Sequence, residues 1–266
     1  MASLLARAKS VRERLYPVLK ESAYLERGVL TPEEFVAAGD ELVYKCPTWS
    51  WSGGDADKRK NYLPEKKQFL VTNNVPCRER AAAMEKVDVD DVLNGGGDDD
   101  DWIAPALQEG GQQHQADFTT ISSSTADEEE DLADDDAATA SDKILYTRTY
   151  DLTITYDKYW QTPRMWFYGY DEHQKPLTQS QVFEDIVLDY ARRTVTFETH
   201  PHLPLPHASI HPCKHPQAMK RIIDHMTNNG KTTPPRPDQA MFIFLKFLQS
   251  VVPTINYDYT LDAVLS

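Results

Sequence analysis

Residues 150–156 read Tyr150-Asp151-Leu152-Thr153-Ile154-Thr155-Tyr156. Every second side chain is large and apolar, and those between are polar. A period of two is the mark of a half-buried strand; a helix would repeat near 3.6 residues. Lys158 to Pro163 then make a turn, and Arg164 to Tyr170 form a second strand carrying Trp166 and Tyr168. Asp171 to Thr178 turn again, and Val182 to Ala191 read as a short helix or irregular chain. Arg193 to Thr199 is a third strand, with Val195 and Phe197 on one face. Upstream, Gln68 to Val75 is a further strand, in which Phe69 and Val71 alternate. Strands joined by short turns imply an antiparallel meander.

Helices flank these strands. Thr31-Pro32-Glu33-Glu34 is a capping box with Pro at the first helical position, followed by Phe35, Val36 and Leu42 on an apolar face. Cys46 to Trp51 leave that helix as extended chain, and Ser52 to Asp55 turn. Gln217 to Asn229 form a helix striped by Met219, Ile222, Ile223 and Met226 and ended by Gly230. After a breaker at Lys231–Pro237, Asp238 caps a last helix that buries Met241, Phe242, Leu245, Leu248 and Val251. Lys246 snorkels from it, and residues 253–260 close the fold. The fold class is α+β.

Residues 3–20 form an amphipathic helix by spacing. Leu4, Ala8, Val11, Leu15 and Val18 recur on one side, joined by Leu5, while Arg7, Lys9, Arg12 and Arg14 fill much of the rest. Two readings stay open: a helix packed on the body, or one lying in the plane of a membrane surface.

The chain has 266 residues and a net charge of −14. Residues 88–142 hold 18 Asp and Glu and no Lys or Arg, so the remainder is mildly basic. Few apolar residues in 87–142 offset chain entropy, and order is expected to fail there. Trp102, Phe118 and Ile121 stand out in that stretch as apolar residues able to dock in a partner's groove. The scattered basic residues form no stripe for nucleic acid. The apolar run Met241–Leu245 is far short of the roughly 18 residues a membrane span needs. Basic residues interrupt any signal-peptide core at the N-terminus. Three cysteines, Cys46, Cys77 and Cys213, are a sparse, odd set that points to a reducing compartment. A cytoplasmic protein is expected, with Cys46 and Cys77 as buried, inert thiols.

Cys213 differs. In His211-Pro212-Cys213-Lys214-His215 a thiol stands between two imidazoles, in a loop stiffened by Pro212 and Pro216. Placed just ahead of a helix N-terminus, it would feel the helix dipole, and a protonated His beside it would favour the thiolate. His200, His202, His207, His211, Cys213 and His215 are six possible metal ligands, but their spacing matches no standard finger. No metal or cofactor is expected, and His200, His202 and His207 read as separate surface histidines. A cysteine hydrolase would need a distant His and an orienting Asn or Asp, and lacks a local signature here. A thiol that takes an acyl group from one thioester and passes it to an amine fits better. A hydroxyl or amide near the sulfur would then steady the oxyanion.

The segment His211–His215, followed by Met219-Lys220-Arg221-Ile222-Ile223, resembles the active-site segment of the autophagy-related protein 3 family. Phe35 to Trp51, Gln68 to Cys77, Arg148 to Arg164, Thr194 to Pro204 and Phe244 to Thr260 resemble it too. The resemblance implies a ubiquitin-conjugating-enzyme-like core with a disordered acidic insertion. On that division residues 1–22 are a membrane-sensing helix and 23–86 the first part of the core. Residues 87–142 are a flexible partner-binding region, and 143–266 the rest of the core with the catalytic cysteine. It implies that Cys213 carries an autophagy-related protein 8-type modifier as a thioester. The donor is the activating enzyme, autophagy-related protein 7, and the acceptor is the amine of phosphatidylethanolamine. The autophagy-related protein 12–protein 5 conjugate is the stimulating partner, and the enzyme is cytoplasmic, transiently on autophagic membranes. Thr194 matches the threonine that replaces the usual catalytic Asn, since His200-Pro201 is followed here by His202. His211 and His215 become active-site neighbours, and Leu4, Leu5, Val11, Leu15 and Val18 the membrane-binding stripe. The alternative from another class is a non-catalytic scaffold that keeps the conjugating fold and bridges partners to membranes. Some relatives carry a Trp-x-x-Leu modifier-binding motif after the active-site helix, and Lys231 to Ala240 holds no aromatic residue for it.

Overall fold

The computed structural model describes residues 16–81, 147–186, 194–228 and 233–257. The acidic stretch 87–142, with Trp102, Phe118 and Ile121, lies outside the described residues, as do residues 1–15 with Leu4, Leu5, Val11 and Leu15. Gly230 and Lys231 also lie outside them.

Among the described residues six strands make one antiparallel sheet: β1 (Ser50–Ser52), β2 (Phe69–Cys77), β3 (Arg148–Asp157), β4 (Thr162–Tyr170), β5 (Val195–Thr199) and β6 (Pro206–Ile210). The order is β1-β2-β3-β4-β6-β5. The alternating stretch at 150–156 is the middle of β3, at the sheet centre, flanked by β2 and β4. The expected meander therefore holds from β3 to β4. It then breaks, because β6 and not β5 lies against β4. β6 rises out of what the sequence presents as a Pro/His-rich loop. Pro206 opens the strand, where a missing N–H costs no ladder bond, and β5 supplies the pairing that intrinsic propensity does not.

Five helices accompany the sheet among the described residues: α1 (Tyr24–Arg27), α2 (Pro32–Lys45), α3 (Gln179–Asp185), α4 (His215–Asn228) and α5 (Ala240–Val251). The Thr31 capping box forms as expected: Thr31 N–H donates to Glu34 Oε2 at 2.8 Å, and Glu34 N–H donates to Thr31 Oγ1 at 3.1 Å. A second box at Thr178 and Gln181 starts α3. Asp238 does not cap the last helix. It sits inside a 3-10 turn, Pro237–Gln239, and pairs with Arg236. The helical expectation for residues 3–20 fails at its end. Residues 16–20 are not helical, since Pro17 drives Tyr16 away from the α region, and Val18 is half-buried on irregular chain.

The two faces of the sheet differ. Tyr150, Leu152, Ile154, Tyr156, Met165 and Phe167 enter the main core with α2, α4 and α5. α5 is buried almost all round, and each buried Phe or Leu of it contributes about 1.5–3 kcal/mol. The opposite face carries Thr153, Thr155, Arg164, Trp166 and Ser209, all buried yet mostly polar. Cys46 and Cys77 are buried, and burial pushes the Cys77 thiol up to about 11.

Candidate active site

The β5–β6 hairpin builds the site. Its register pairs Val195 with Ile210, and the ladder runs one step further, where His211 N–H donates to the Thr194 carbonyl at 2.7 Å. Thr194 thus leads into one strand as His211 leaves the other. Pro212 then opens a 3-10 turn, Pro212–Lys214, which passes straight into the N-terminus of α4. His211 caps that turn: Cys213 N–H donates to its Nδ1 at 3.3 Å. Cys213 is exposed, unlike the other two cysteines, and sits just ahead of the positive end of a 14-residue helix. The structure therefore puts His211 and Cys213 on one turn and joins Thr194 to it through the backbone bond from His211.

His215 lies elsewhere. Its ring is wholly buried, Nδ1–H donates to the Pro163 carbonyl at 2.9 Å, and Phe244 and Phe247 pack on it at 5.3 Å each. Burial holds its pKa down at about 3. The expectation that a protonated imidazole beside Cys213 favours the thiolate is therefore wrong for His215. It anchors the start of α4 to the start of β4 as a neutral ring.

His200, His202 and His207 are not surface residues. They are 1%, 2% and 6% exposed and fill the polar face of the sheet. His200 Nε2–H donates to Thr153 Oγ1 at 2.9 Å, and its Nδ1 accepts from His202 N–H and Leu203 N–H, each at 3.1 Å. His202 stacks on Phe69, and His207 lies against His200 and Tyr168. Burial lowers His200 to about 2, and His207 also falls below the ordinary histidine range. Both ring nitrogens of His200 are spent on hydrogen bonds. Among the described residues no group of His, Cys, Asp and Glu is arranged to hold a metal ion.

Two features around the hairpin and its capping histidine carry no signal in local sequence. A run of rings, Tyr16–Tyr159–Trp160–His211, links the N-terminal segment to the capping histidine at centroid distances of 4.9, 5.0 and 6.0 Å. Arg164, 3% exposed, sits on the polar face beside the hairpin.

An exposed thiol in a rigid turn, with a threonine beside its cap, suits acyl transfer through sulfur. Comparison with known proteins agrees. The profile described as "Autophagocytosis associated protein, active-site domain" matches residues 34–259. An autophagy-related protein 3 from Arabidopsis thaliana is 44% identical, over 96% of this chain and 94% of its own length. One from Dictyostelium discoideum is 45% identical over 94% of each chain. One from Schizosaccharomyces pombe is 36% identical over 95% of this chain and 96% of its own length. This chain belongs to the autophagy-related protein 3 family, the ubiquitin-like-conjugating enzymes of autophagy.

Proposed function

We propose that Cys213 takes the C-terminal glycine of an autophagy-related protein 8-type modifier as a thioester and passes it to the amine of phosphatidylethanolamine. The observation that carries this is the exposed Cys213 in its capped turn, with Thr194 joined to the capping histidine. In the first step the Cys213 thiolate attacks the thioester held by the activating enzyme, autophagy-related protein 7. One C–S bond forms, another breaks, and the donor sulfur leaves as a thiolate. The exchange is nearly neutral in energy and needs no strong base. In the second step the lipid amine, in its free-base form, attacks the carbonyl carbon. An amide forms, Cys213 leaves as thiolate, and the amine proton goes to solvent or a base. The Thr194 hydroxyl donates to the carbonyl oxygen and steadies the tetrahedral oxyanion.

His215 stays neutral at the pH of the reaction, and the positive end of α4 favours the Cys213 thiolate. The N-terminal stripe Leu4, Leu5, Val11 and Leu15 with its basic flank brings the enzyme to the bilayer from the cytoplasm. The acidic region 87–142 docks autophagy-related protein 7 and the autophagy-related protein 12–protein 5 conjugate.

The test is reconstitution with modifier, activating enzyme and ATP. A reductant-sensitive adduct is expected on wild type, and Cys213→Ser should convert it to a reductant-stable ester. Absence of any adduct on wild type rejects the reading.

A further inference from the structure

We propose that Arg164 is a positioning residue for the transfer of the acyl group from Cys213 to the amine. This rests on the function proposed above. The β5–β6 hairpin carries the whole site: Thr194 precedes β5, and His211 with Cys213 follows β6. Yet β6 meets β4 in only two register pairs, Trp166 with Ser209 and Phe167 with Ala208. So short a ladder leaves much of the hairpin's position to side-chain contacts, among them His200 on Thr153 and His207 on Tyr168.

Arg164 is a further hold, and it reaches both strands of the hairpin. Its Nε–H donates to Ser209 Oγ on β6 at 2.7 Å, and Ser209 Oγ donates on to the Met165 carbonyl at 3.0 Å. Nη2 stands 3.2 Å from Glu198 Oε1 on β5, close enough for an ion pair but off the line of a hydrogen bond. Nη1 lies 3.8 Å from Asp157 Oδ2 at the end of β3, and the guanidinium covers the Trp166 ring at 4.2 Å. One planar group thus touches β3, β4, β5 and β6. It acts on the site through Ser209, two residues before His211, and Glu198, four after Thr194.

Energetics favour a geometric role. Burying an ion pair costs desolvation that its attraction barely offsets, so apolar replacement is often neutral for stability. A guanidinium fixes three directions at once, which neither a lysine nor an apolar side chain does. Loading requires a docked donor and an accessible sulfur, and no oxyanion donor set to within an ångström. Aminolysis requires the Thr194 hydroxyl at a set position against the carbonyl on Cys213, and a misplacement of about 1 Å can cost 100-fold. Arg164 should therefore bear on the second step and not on the first.

The experiment preforms the thioester on the full chain, quenches the activating enzyme, and chases with liposomes of graded phosphatidylethanolamine content. Arg164→Met/Glu198→Leu removes the closer pair together and leaves Asp157, whose carboxylate keeps the N–H groups of Tyr159 and Trp160. Its melting temperature and loading rate are expected to stay near wild type. Its maximal discharge rate should fall about 10–100-fold, with the half-saturating amine content unchanged. Arg164→Lys should recover only part of the rate. Ser209→Ala, which removes one acceptor and buries no lone charge, should slow discharge less and in the same sense. Wild-type discharge in the double variant and in Ser209→Ala overturns the proposal, as does an equal fall in loading and discharge. A wild-type protein that forms no adduct rejects the underlying function instead, and the proposal with it.

Discussion

The His215 ring hangs from the Pro163 carbonyl, 2.9 Å from Nδ1, and its Nε2 is buried with no hydrogen-bond partner among the described residues. An added proton at Nε2 would sit among Phe244 and Phe247 with nothing to accept it. That is why burial drives the pKa from the ordinary 6.5 to about 3. The unfolded chain then binds the proton that the fold refuses, at every pH between those values. Stability is full above 6.5 and falls as pH drops, by up to about 1.4 kcal/mol per pH unit from this one group. His215→Asn keeps a donor for Pro163 and cannot titrate. Urea midpoints at pH 7.5 and 5.0 should show a smaller acid loss for the variant than for wild type. Equal losses would mean that His215 does not titrate on unfolding.

Thr194 is held to the site by its backbone, through the 2.7 Å bond from His211 N–H. Its side chain is therefore replaceable without breaking the ladder. Thr194→Val keeps the shape and removes the hydroxyl. Discharge of the Cys213 thioester to lipid amine should slow about 100-fold, the usual cost of losing one oxyanion donor, while loading stays within about twofold. Loading and discharge followed separately in single-turnover gels decide this. Equal loss in both steps would return Thr194 to an ordinary strand-flanking residue.

The sequence makes β3 legible because its apolar side chains alternate without exception from Tyr150 to Tyr156. It makes α2 legible because Thr31, Pro32 and Glu34 satisfy the first-turn N–H groups locally. Both signals are complete within a few residues. The Thr178 box with Gln181 is as local, and it places the start of α3 ahead of the expected Val182. β6 is different. Its reason to be a strand is β5, and Pro204 and Pro206 disguise it as a loop. The buried histidines are hidden in the same way. His200 is sheltered by Thr153, 47 residues upstream, and by Trp166 and Phe69. Cys213 was legible as chemistry from its neighbours, but the neutrality of His215 depends on burial against Phe244 and Phe247, which belong to another helix.

Gly28 ends α1 at φ 66°, a left-handed conformation that suits glycine. It also lies against the first turns of α4. A Cβ there would come 2.2 Å from the Pro216 carbonyl oxygen and 2.7 Å from the Lys220 backbone nitrogen. Neither is a side chain that can swing away. Gly28→Ala should therefore destabilise by about 2–4 kcal/mol, from backbone strain and overpacking together. Because α4 starts directly after the Cys213 turn, thioester loading should fall as well. A thermal melt and a loading assay read both. A variant as stable as wild type would show that α1 and α4 are not in close contact in solution.

Asp185, with no exposed surface, binds both chain segments that flank residues 82–146. Arg148 Nη1 reaches its Oδ1 at 3.0 Å, Arg80 Nε the same oxygen at 3.3 Å, and the Tyr150 hydroxyl donates to Oδ2 at 2.5 Å. The Thr254 hydroxyl adds a bond to the Asp185 carbonyl. Asp185→Asn removes one charge and leaves two guanidinium groups facing a buried amide. Arg148 keeps a second carboxylate, Glu184 at 2.7 Å, and that one is half exposed. Breaking a buried pair from one side costs about 3–5 kcal/mol, whereas Glu184→Gln, at the surface, should cost under about 1 kcal/mol. Urea unfolding separates the two. Trypsin gives an independent reading, because Arg80 and Arg148 are clasped in the fold and should be cut faster once Asp185 is neutral. Unchanged cleavage with a loss below about 1 kcal/mol would mean that the two arginines hold their places without this carboxylate.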